Sequence, residues 1–211
     1  MIFKSLILNF IFIAIESPQE CFFNIRVYRK WNTRRIEKEG FVKKIGNENE
    51  MQRNLYKAYR NYFDKETVIS FKTLEYYDTI SYTVLQEDDV NVDINIHVND
   101  IIDVEDDNGM GNREYAIVRG IFTHTANDNK KYAFFILDWY YDTGRTDDLT
   151  GSKIYGLQES NNNLWPHIHS FHIVDRTPRI HFVHNCKANC IGCHAKDNLE
   201  YLHNEFFYVA I

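Results

Sequence analysis

Cysteine and histidine residues gather near the end of the chain with a spacing that suits a metal ion. Cys186, Cys190 and Cys193 follow one another closely, with His184 before them and His194 after them. Thiolate and imidazole are the ligands that tetrahedral zinc prefers, and Cys190-x-x-Cys193 has the spacing of a zinc knuckle. We therefore predict a structural zinc ion held by Cys186, Cys190, Cys193 and either His194 or His184. The alternative is that these cysteines are small, reduced residues of an ordinary core.

The same segment contains two strings that point to other chemistry. The sequence CIGCH at residues 190–194 is the attachment string of haem c, which would also need export, a helical wrap and a second axial ligand. Extended to Lys196, the string resembles the end of an HNH endonuclease finger. The second Cys pair and the Asp-His step of that finger are missing, because Cys21 stands alone and no Asp precedes His172. Neither function is favoured.

Motifs that would assemble a catalytic site are absent from the sequence. It contains no Gly-rich phosphate loop, no Gly-x-Ser-x-Gly elbow and no His-Glu-x-x-His pair. The adjacent acids Asp147-Asp148 and Asp88-Asp89 would face opposite ways on a strand and would make poor catalytic pairs. We therefore expect a protein that is not an enzyme, with no cofactor other than the predicted zinc.

Charge is distributed unevenly along the 211 residues, whose formal net charge is −6. Residues 21–44 contain eight Lys or Arg against two Glu, whereas residues 86–107 contain nine Asp or Glu and no Lys or Arg. The negative total excludes a general polyanion binder. The basic segment and the acidic segment can therefore meet different partners.

Apolar residues at helical spacing predict one helix over residues 49–62, with Asn47 or Asn49 as its N-cap. The opposite face of this helix carries Arg53, Lys57 and Arg60, which extend the basic segment. Such a face is usually only solvated, and the alternative is a non-specific contact with nucleic acid.

After residue 66 the pattern changes to short β-branched and aromatic runs separated by turn residues. This pattern predicts a mostly β domain, either a barrel or a sandwich, over residues 66–211, preceded by a basic, partly helical extension over residues 1–65. The predicted strands are residues 68–71, 80–84, 92–96, 101–104, 115–122, 132–141, 168–174, 180–184 and 205–211.

The first 15 residues form an apolar run that is too short to span a bilayer, so no membrane association is expected. Three interpretations stay open: a signal peptide, a buried strand, or a start that belongs to a neighbouring segment of a larger gene product. Three crowded cysteines and the lack of any Asn-x-Ser/Thr sequon among 21 Asn favour a location inside the cell.

The order of motifs in the second half of the chain resembles that of the bromo-adjacent homology (BAH) domain. VNDIIDV at 98–104, EYAIVRGIF at 114–122 and ILDWYY at 136–141 follow the order of the family's "gD-V", "Y-V-A-R-I" and "W-[FY]-[FY]" strands. Further matching pieces are IYGLQES at 154–160, HIVDRTPRIHFV at 172–183 and EFFYV at 205–209. The chain departs from the family at residues 142–145, where DTGR replaces Arg-Pro-Glu-Glu.

This resemblance implies a BAH-like module with an SH3-like β-barrel at its core, which binds proteins in chromatin. In the members that read methylated lysine, the matching positions of the aromatic cage are Tyr115, Trp139 and Tyr141. Trp139 and Tyr141 would share one face of a strand, and aromatic rings attract an ammonium group by about 0.5–2 kcal/mol per contact. The alternative is that these rings only fill the core.

We therefore expect a nuclear, chromatin-associated binding module that recognises a histone tail or another nuclear protein, with methyl-lysine as the candidate ligand. The acidic residues 105–107 would suit a basic tail. The competing hypothesis is a zinc-containing nucleic-acid-binding or nuclease-like protein derived from a mobile element.

Overall fold

A computed structural model describes residues 26–30, 48–68, 74–85, 91–105, 113–158, 167–174, 180–185 and 200–204. These residues form one helix, α1 (Glu48–Phe63), and an antiparallel sheet. The strands of the sheet are β1 (Arg26–Lys30), β2 (Leu74–Leu85), β3 (Asn91–His97), β4 (Ile101–Glu105), β5 (Arg113–Thr125), β6 (Lys131–Thr146), β7 (Lys153–Leu157), β8 (Ile168–Ser170), β9 (Phe182–His184) and β10 (Glu200–His203). The prediction of a mostly β fold is confirmed.

The sheet runs in the order β1-β2-β5-β6-β7-β10-β9, with β3 on β2, β4 on β5 and β8 on β6. No pairing among the described strands closes this path, so the predicted barrel is not closed in this part of the chain. The path ends at β1 and β9, and these two strands do not pair with each other.

The sheet bends so that the β2–β3 hairpin lies against β4, β5 and β6. Apolar side chains from all five strands meet in a cluster that we call the main core, to which Phe171 and Val174 also belong. Tyr82 fastens the residues after β8 to this core, because its hydroxyl donates hydrogen bonds to the carbonyls of Phe171 (3.1 Å) and Val174 (2.8 Å). The predicted strand 168–174 is therefore a strand only to Ser170 and continues as a single 3₁₀ turn.

The helix predicted over residues 49–62 is confirmed as α1. Its buried residues Met51, Leu55, Ala58 and Tyr59 recur at helical spacing and pack on the other face of the sheet, in a cluster that we call the helix-side core. Tyr59 and Tyr62 hydrogen-bond to sheet histidines, and the helix ends where Asp64 takes a left-handed backbone conformation (φ 45°). Asn47 and the side chain of Asn49, the predicted N-caps, lie outside the described part.

Most predicted strands are confirmed in the described part. The pattern missed β1, β7 and β10, and Val68 lies outside any strand. Residues 69–71 and 205–211, also predicted as strands, lie outside the described residues. The boundary near residue 65 stays a prediction, although β1 pairs with β2 and α1 packs on the sheet.

Candidate ligand-binding cavity

A cavity opens where β5 and β6 part. The two strands are paired as far as Tyr115 and Tyr140. Beyond that point β5 continues along β4 to Arg113, whereas β6 continues along β7. The cavity at this fork has a volume of about 570 Å³, which lies in the range of small-molecule sites. Its lining consists of Arg113, Glu114, Tyr115, Trp139, Tyr140, Tyr141, Asp142, Lys153, Tyr155 and Gln158.

The three predicted cage residues all line this cavity, but they come from two faces of the sheet. Trp139 is paired with Ala116 and belongs to the main core, and Tyr141 follows two residues later on the same face of β6. Tyr115 is paired with Tyr140, so it lies on the opposite face. The structure therefore brings the rings of Tyr115, Trp139 and Tyr141 to one cavity from different directions.

The three rings differ in their exposure. Trp139 is only 6% exposed, and its ring meets the ring of His169 edge-on at 5.1 Å between centroids. Tyr141 is 50% exposed, so its ring has a face that a partner can reach. Tyr115 lies between these extremes. The interpretation that Trp139 fills the core and the interpretation that it lines a binding site are therefore compatible.

Tyr115 belongs to an aromatic cluster on the outer face of the fork, which we call the fork-side cluster. Its ring meets the rings of Tyr155 and Phe182 at 5.5 Å each, and Phe182 stacks on Tyr140 at 4.3 Å with an interplanar angle of 2°. Burial raises the pKa of Tyr140 above its usual value, so its hydroxyl stays protonated. This packing fixes the wall of the cavity.

Charged side chains around the cavity are held in ion pairs. Arg113 donates to Asp103 at 2.8 Å, and Lys153 donates to Asp142 at 3.2 Å. The pKa of Asp142 is lowered by a hydrogen bond from the Gly144 backbone N–H and by Lys153. The lining itself carries two carboxylates, Glu114 and Asp142, and two cations, Arg113 and Lys153, so its formal charges balance.

The lining combines aromatic rings with charged and amide groups, and none of its ten residues is Ser, Cys or His. Aromatic faces, carboxylates and the Gln158 amide can bind a cationic or polar group. Among the lining residues, Arg113 and Lys153 lie outside every motif quoted above, whereas Tyr155 and Gln158 belong to the IYGLQES piece of the resemblance without having been predicted as site residues.

The predicted zinc ligands Cys186, Cys190, Cys193 and His194 lie outside the described residues. The alternative ligand His184 is described in β9, where its ring meets that of Tyr201 at 5.4 Å. Within the described part, no group of three or more His, Cys, Asp or Glu side chains could hold a metal ion. Zinc therefore stays a prediction, which metal analysis of the purified chain with titration of its thiols would test.

No helix in the part of the chain that the structure describes combines the length and the hydropathy needed to cross a bilayer. Comparison of the chain with protein-family models, with curated proteins and with solved structures gives no match. The resemblance to the BAH domain therefore rests on the order and spacing of the motifs quoted above.

Proposed function

We propose that this protein is a BAH-like binding module of the nucleus, which captures a basic segment of a chromatin protein such as a histone tail. The observation that supports the proposal is that Tyr115, Trp139 and Tyr141, selected from the sequence, line one cavity. The ligand group is a lysine side chain, and methylated lysine is the preferred form.

Cation–π attraction is the first contribution to binding. The exposed ring of Tyr141 offers its π face to an ammonium group, and Trp139 and Tyr115 lie in the walls. A partly desolvated contact of this kind contributes about 0.5–2 kcal/mol. A methylated ammonium binds better than a free one because it is less strongly hydrated and it contacts the rings with its methyl groups.

The carboxylates of the lining make the second contribution to binding. Glu114 and Asp142 offer carboxylates to a basic segment, and the ion pairs Arg113–Asp103 and Lys153–Asp142 reduce the repulsion from the two cations of the lining. Because the Lys153–Asp142 pair is solvent-exposed, its attraction is screened by salt. We therefore expect aromatic contacts to dominate affinity and the carboxylates to contribute mainly to the association rate.

A histone-peptide array with each lysine unmodified, mono-, di- or trimethylated tests this proposal, followed by fluorescence-anisotropy titration of the best peptide. Tyr141→Ala should weaken binding about tenfold, the equivalent of about 1.4 kcal/mol. Leu149→Ala is the matched control, because Leu149 is 94% exposed at the tip of the β6–β7 hairpin and does not line the cavity. Equal affinity of wild-type and folded Tyr141→Ala protein, or no peptide bound at all, would contradict the proposal.

A second candidate function is a non-specific contact of α1 with nucleic acid. Arg53, Lys57 and Arg60 are exposed along one face of α1, and residues 51–63 contain no acidic side chain. Like charges four residues apart weaken a helix slightly, so a polyanion bound to this face would relieve their repulsion. The spacing of these cations along the helix axis allows them to meet phosphates of one strand.

A salt titration of duplex binding distinguishes this contact from peptide capture. Each cation that contacts a phosphate contributes about 0.9 to the slope of log affinity against log salt, so the double variant Lys57→Gln/Arg60→Gln should lower the slope by about 1.8. The control Lys153→Gln removes a lysine charge from the β6–β7 hairpin and should leave the slope unchanged. A slope that Lys57→Gln/Arg60→Gln does not alter would exclude α1 as the contact surface.

A further inference from the structure

Gly156 in β7 lies directly opposite Tyr141 in β6, and the tyrosine ring covers it. A Cβ atom placed on Gly156 would lie 2.6 Å from Cε1 of Tyr141 and closer still to its Cζ and Oη. Real Cβ atoms essentially never approach another heavy atom below 3.0 Å. The ring therefore occupies the space that any side chain at position 156 would need.

The backbone conformation does not explain this glycine. Gly144 and Gly151 have φ values of +71° and +69°, which other residues rarely adopt, and a Cβ on either would meet nothing within 4 Å. Gly156 has no such positive φ and lies in the middle of a strand, where a glycine weakens the sheet. The reason for glycine at this position is the close approach of the Tyr141 ring.

The ring separates Gly156 from the cavity. Gly156 is buried and does not line the cavity, although Tyr155 and Gln158 on either side of it do. The hydroxyl end of the Tyr141 ring thus lies against the backbone of β7, and the residue as a whole remains 50% exposed. An aromatic ring that spans the glycine of a neighbouring strand also stabilises that strand pair.

We propose that Gly156 is the positioning residue that fixes the ring of Tyr141, so that the cavity offers a ligand one preset aromatic face. This inference rests on the function proposed above. It names Gly156 as the residue that determines the specificity of the cavity for its ligand. A ring that is already immobilised loses little conformational entropy when a ligand binds. A side chain at position 156 would push the Tyr141 ring away from β7 and towards the cavity. The displaced ring would make the cavity narrower.

The orientation of the ring can be measured without any ligand. The chain is labelled with 3-fluorotyrosine, and the ¹⁹F resonance of Tyr141 is assigned as the signal that is missing from Tyr141→Phe. Gly156→Ala should shift this resonance, whereas the control Leu149→Ala should leave it in place. An unchanged Tyr141 resonance in folded Gly156→Ala protein would overturn the inference.

A double variant covers the case in which Gly156→Ala does not fold. If the added methyl group clashes only with the Tyr141 ring, Gly156→Ala/Tyr141→Ala should unfold at a higher urea concentration than Gly156→Ala. Equal instability of the single and the double variant would overturn the inference, because the clash would then lie elsewhere.

Peptide titration separates this inference from the proposed function. In Gly156→Ala, affinity for the best peptide should fall about tenfold, as it does in Tyr141→Ala, and the two losses should not add in the double variant. Full additivity of the two losses would overturn the inference. If no peptide binds the wild-type protein but Gly156→Ala still shifts the Tyr141 resonance, the proposed function fails and the positioning role of Gly156 is retained.

Discussion

The two halves of β6 differ in what surrounds them. Nine consecutive residues, from Tyr132 to Tyr140, are buried, whereas Tyr141 and most of the residues that follow to Thr146 are exposed. In the inner half, alternate side chains enter the main core and the opposite face, where Phe134 and Ile136 meet α1. Apart from Asp138, this half is apolar on both faces.

The outer half is held by turn hydrogen bonds instead of apolar packing. The Gly144 N–H donates to Asp142, the Thr143 hydroxyl donates to the carbonyl of Ile154, and Asp147 accepts from the N–H and the hydroxyl of Thr150. The cavity at the fork of β5 and β6 lies at the border between the two halves of β6. A densely packed strand can thus carry an aromatic residue, Tyr141, to the surface without losing its anchorage.

The largest effect on stability is expected when an aromatic ring in the inner half of β6 is truncated. Phe134 is fully buried, and its ring stacks on Phe122 at 5.4 Å and meets Tyr59 of α1 at 5.1 Å. Phe134→Ala should lower the free energy of unfolding by about 3–5 kcal/mol, measured by urea denaturation. Leu149→Ala in the outer hairpin should change it by less than about 0.5 kcal/mol. Similar losses in both variants would mean that the two halves are equally packed.

An intermediate effect on stability is expected when a carboxylate of β6 is replaced by an amide. Asp138 in the inner half accepts from Arg119 Nε at 2.6 Å, with its side chain 8% exposed. Asp138→Asn should lower the free energy of unfolding by about 1.5–3 kcal/mol, because it removes a charge-assisted hydrogen bond. Asp142→Asn in the outer half breaks the exposed pair with Lys153 and should cost less than about 1 kcal/mol. A larger loss of stability in Asp142→Asn than in Asp138→Asn would contradict the difference between the two halves of β6.

The smallest effects appear in the pH dependence of stability. Burial holds the pKa of His172, beside the inner half, below its usual 6.5, so the folded state favours the neutral ring. Stability should therefore fall as the pH drops through 6.5, until the pH reaches the folded pKa. The pKa of Asp142 lies below its usual 3.8, so its contribution is present above 3.8 and is lost only below that pH.

Urea denaturation repeated from pH 8 to pH 3 tests this separation. His172→Gln should flatten the stability curve below pH 6.5, whereas Asp142→Asn should change the slope of the curve only below about pH 4, where the contribution of this carboxylate is lost in the wild-type protein. If His172→Gln leaves the slope between pH 6.5 and pH 5 unchanged, the loss of stability has another source.

Local patterns predicted much of the fold. The helical spacing of Met51, Leu55 and Tyr59 was enough to find α1, because the apolar face of a helix repeats within the chain. The inner half of β6 was also found, since a run of aromatic and aliphatic residues interrupted only by Asp138 is typical of a buried strand. The missed strand β7 has only five residues, one of them Gly156, so its own sequence carries a weak signal.

The cavity itself could be predicted only in part. The alternation of residues placed Trp139 and Tyr141 on one face, and the structure agrees. The face of Tyr115 depends on the register between β5 and β6, which shifts at an irregularity between Val118 and Gly120. Register between strands and the point where they part are set by contacts distant in sequence, so a local pattern does not contain them.

Because β6 supplies side chains to the main core, the helix-side core and the fork-side cluster, none of these can open fully while the strand stays in place. The amide hydrogens of residues 132–140 should therefore exchange with solvent deuterium only when the whole sheet unfolds. Amides of the hairpin tip at residues 147–151 should exchange within brief local openings, so β6 and the turn that follows it span both time regimes.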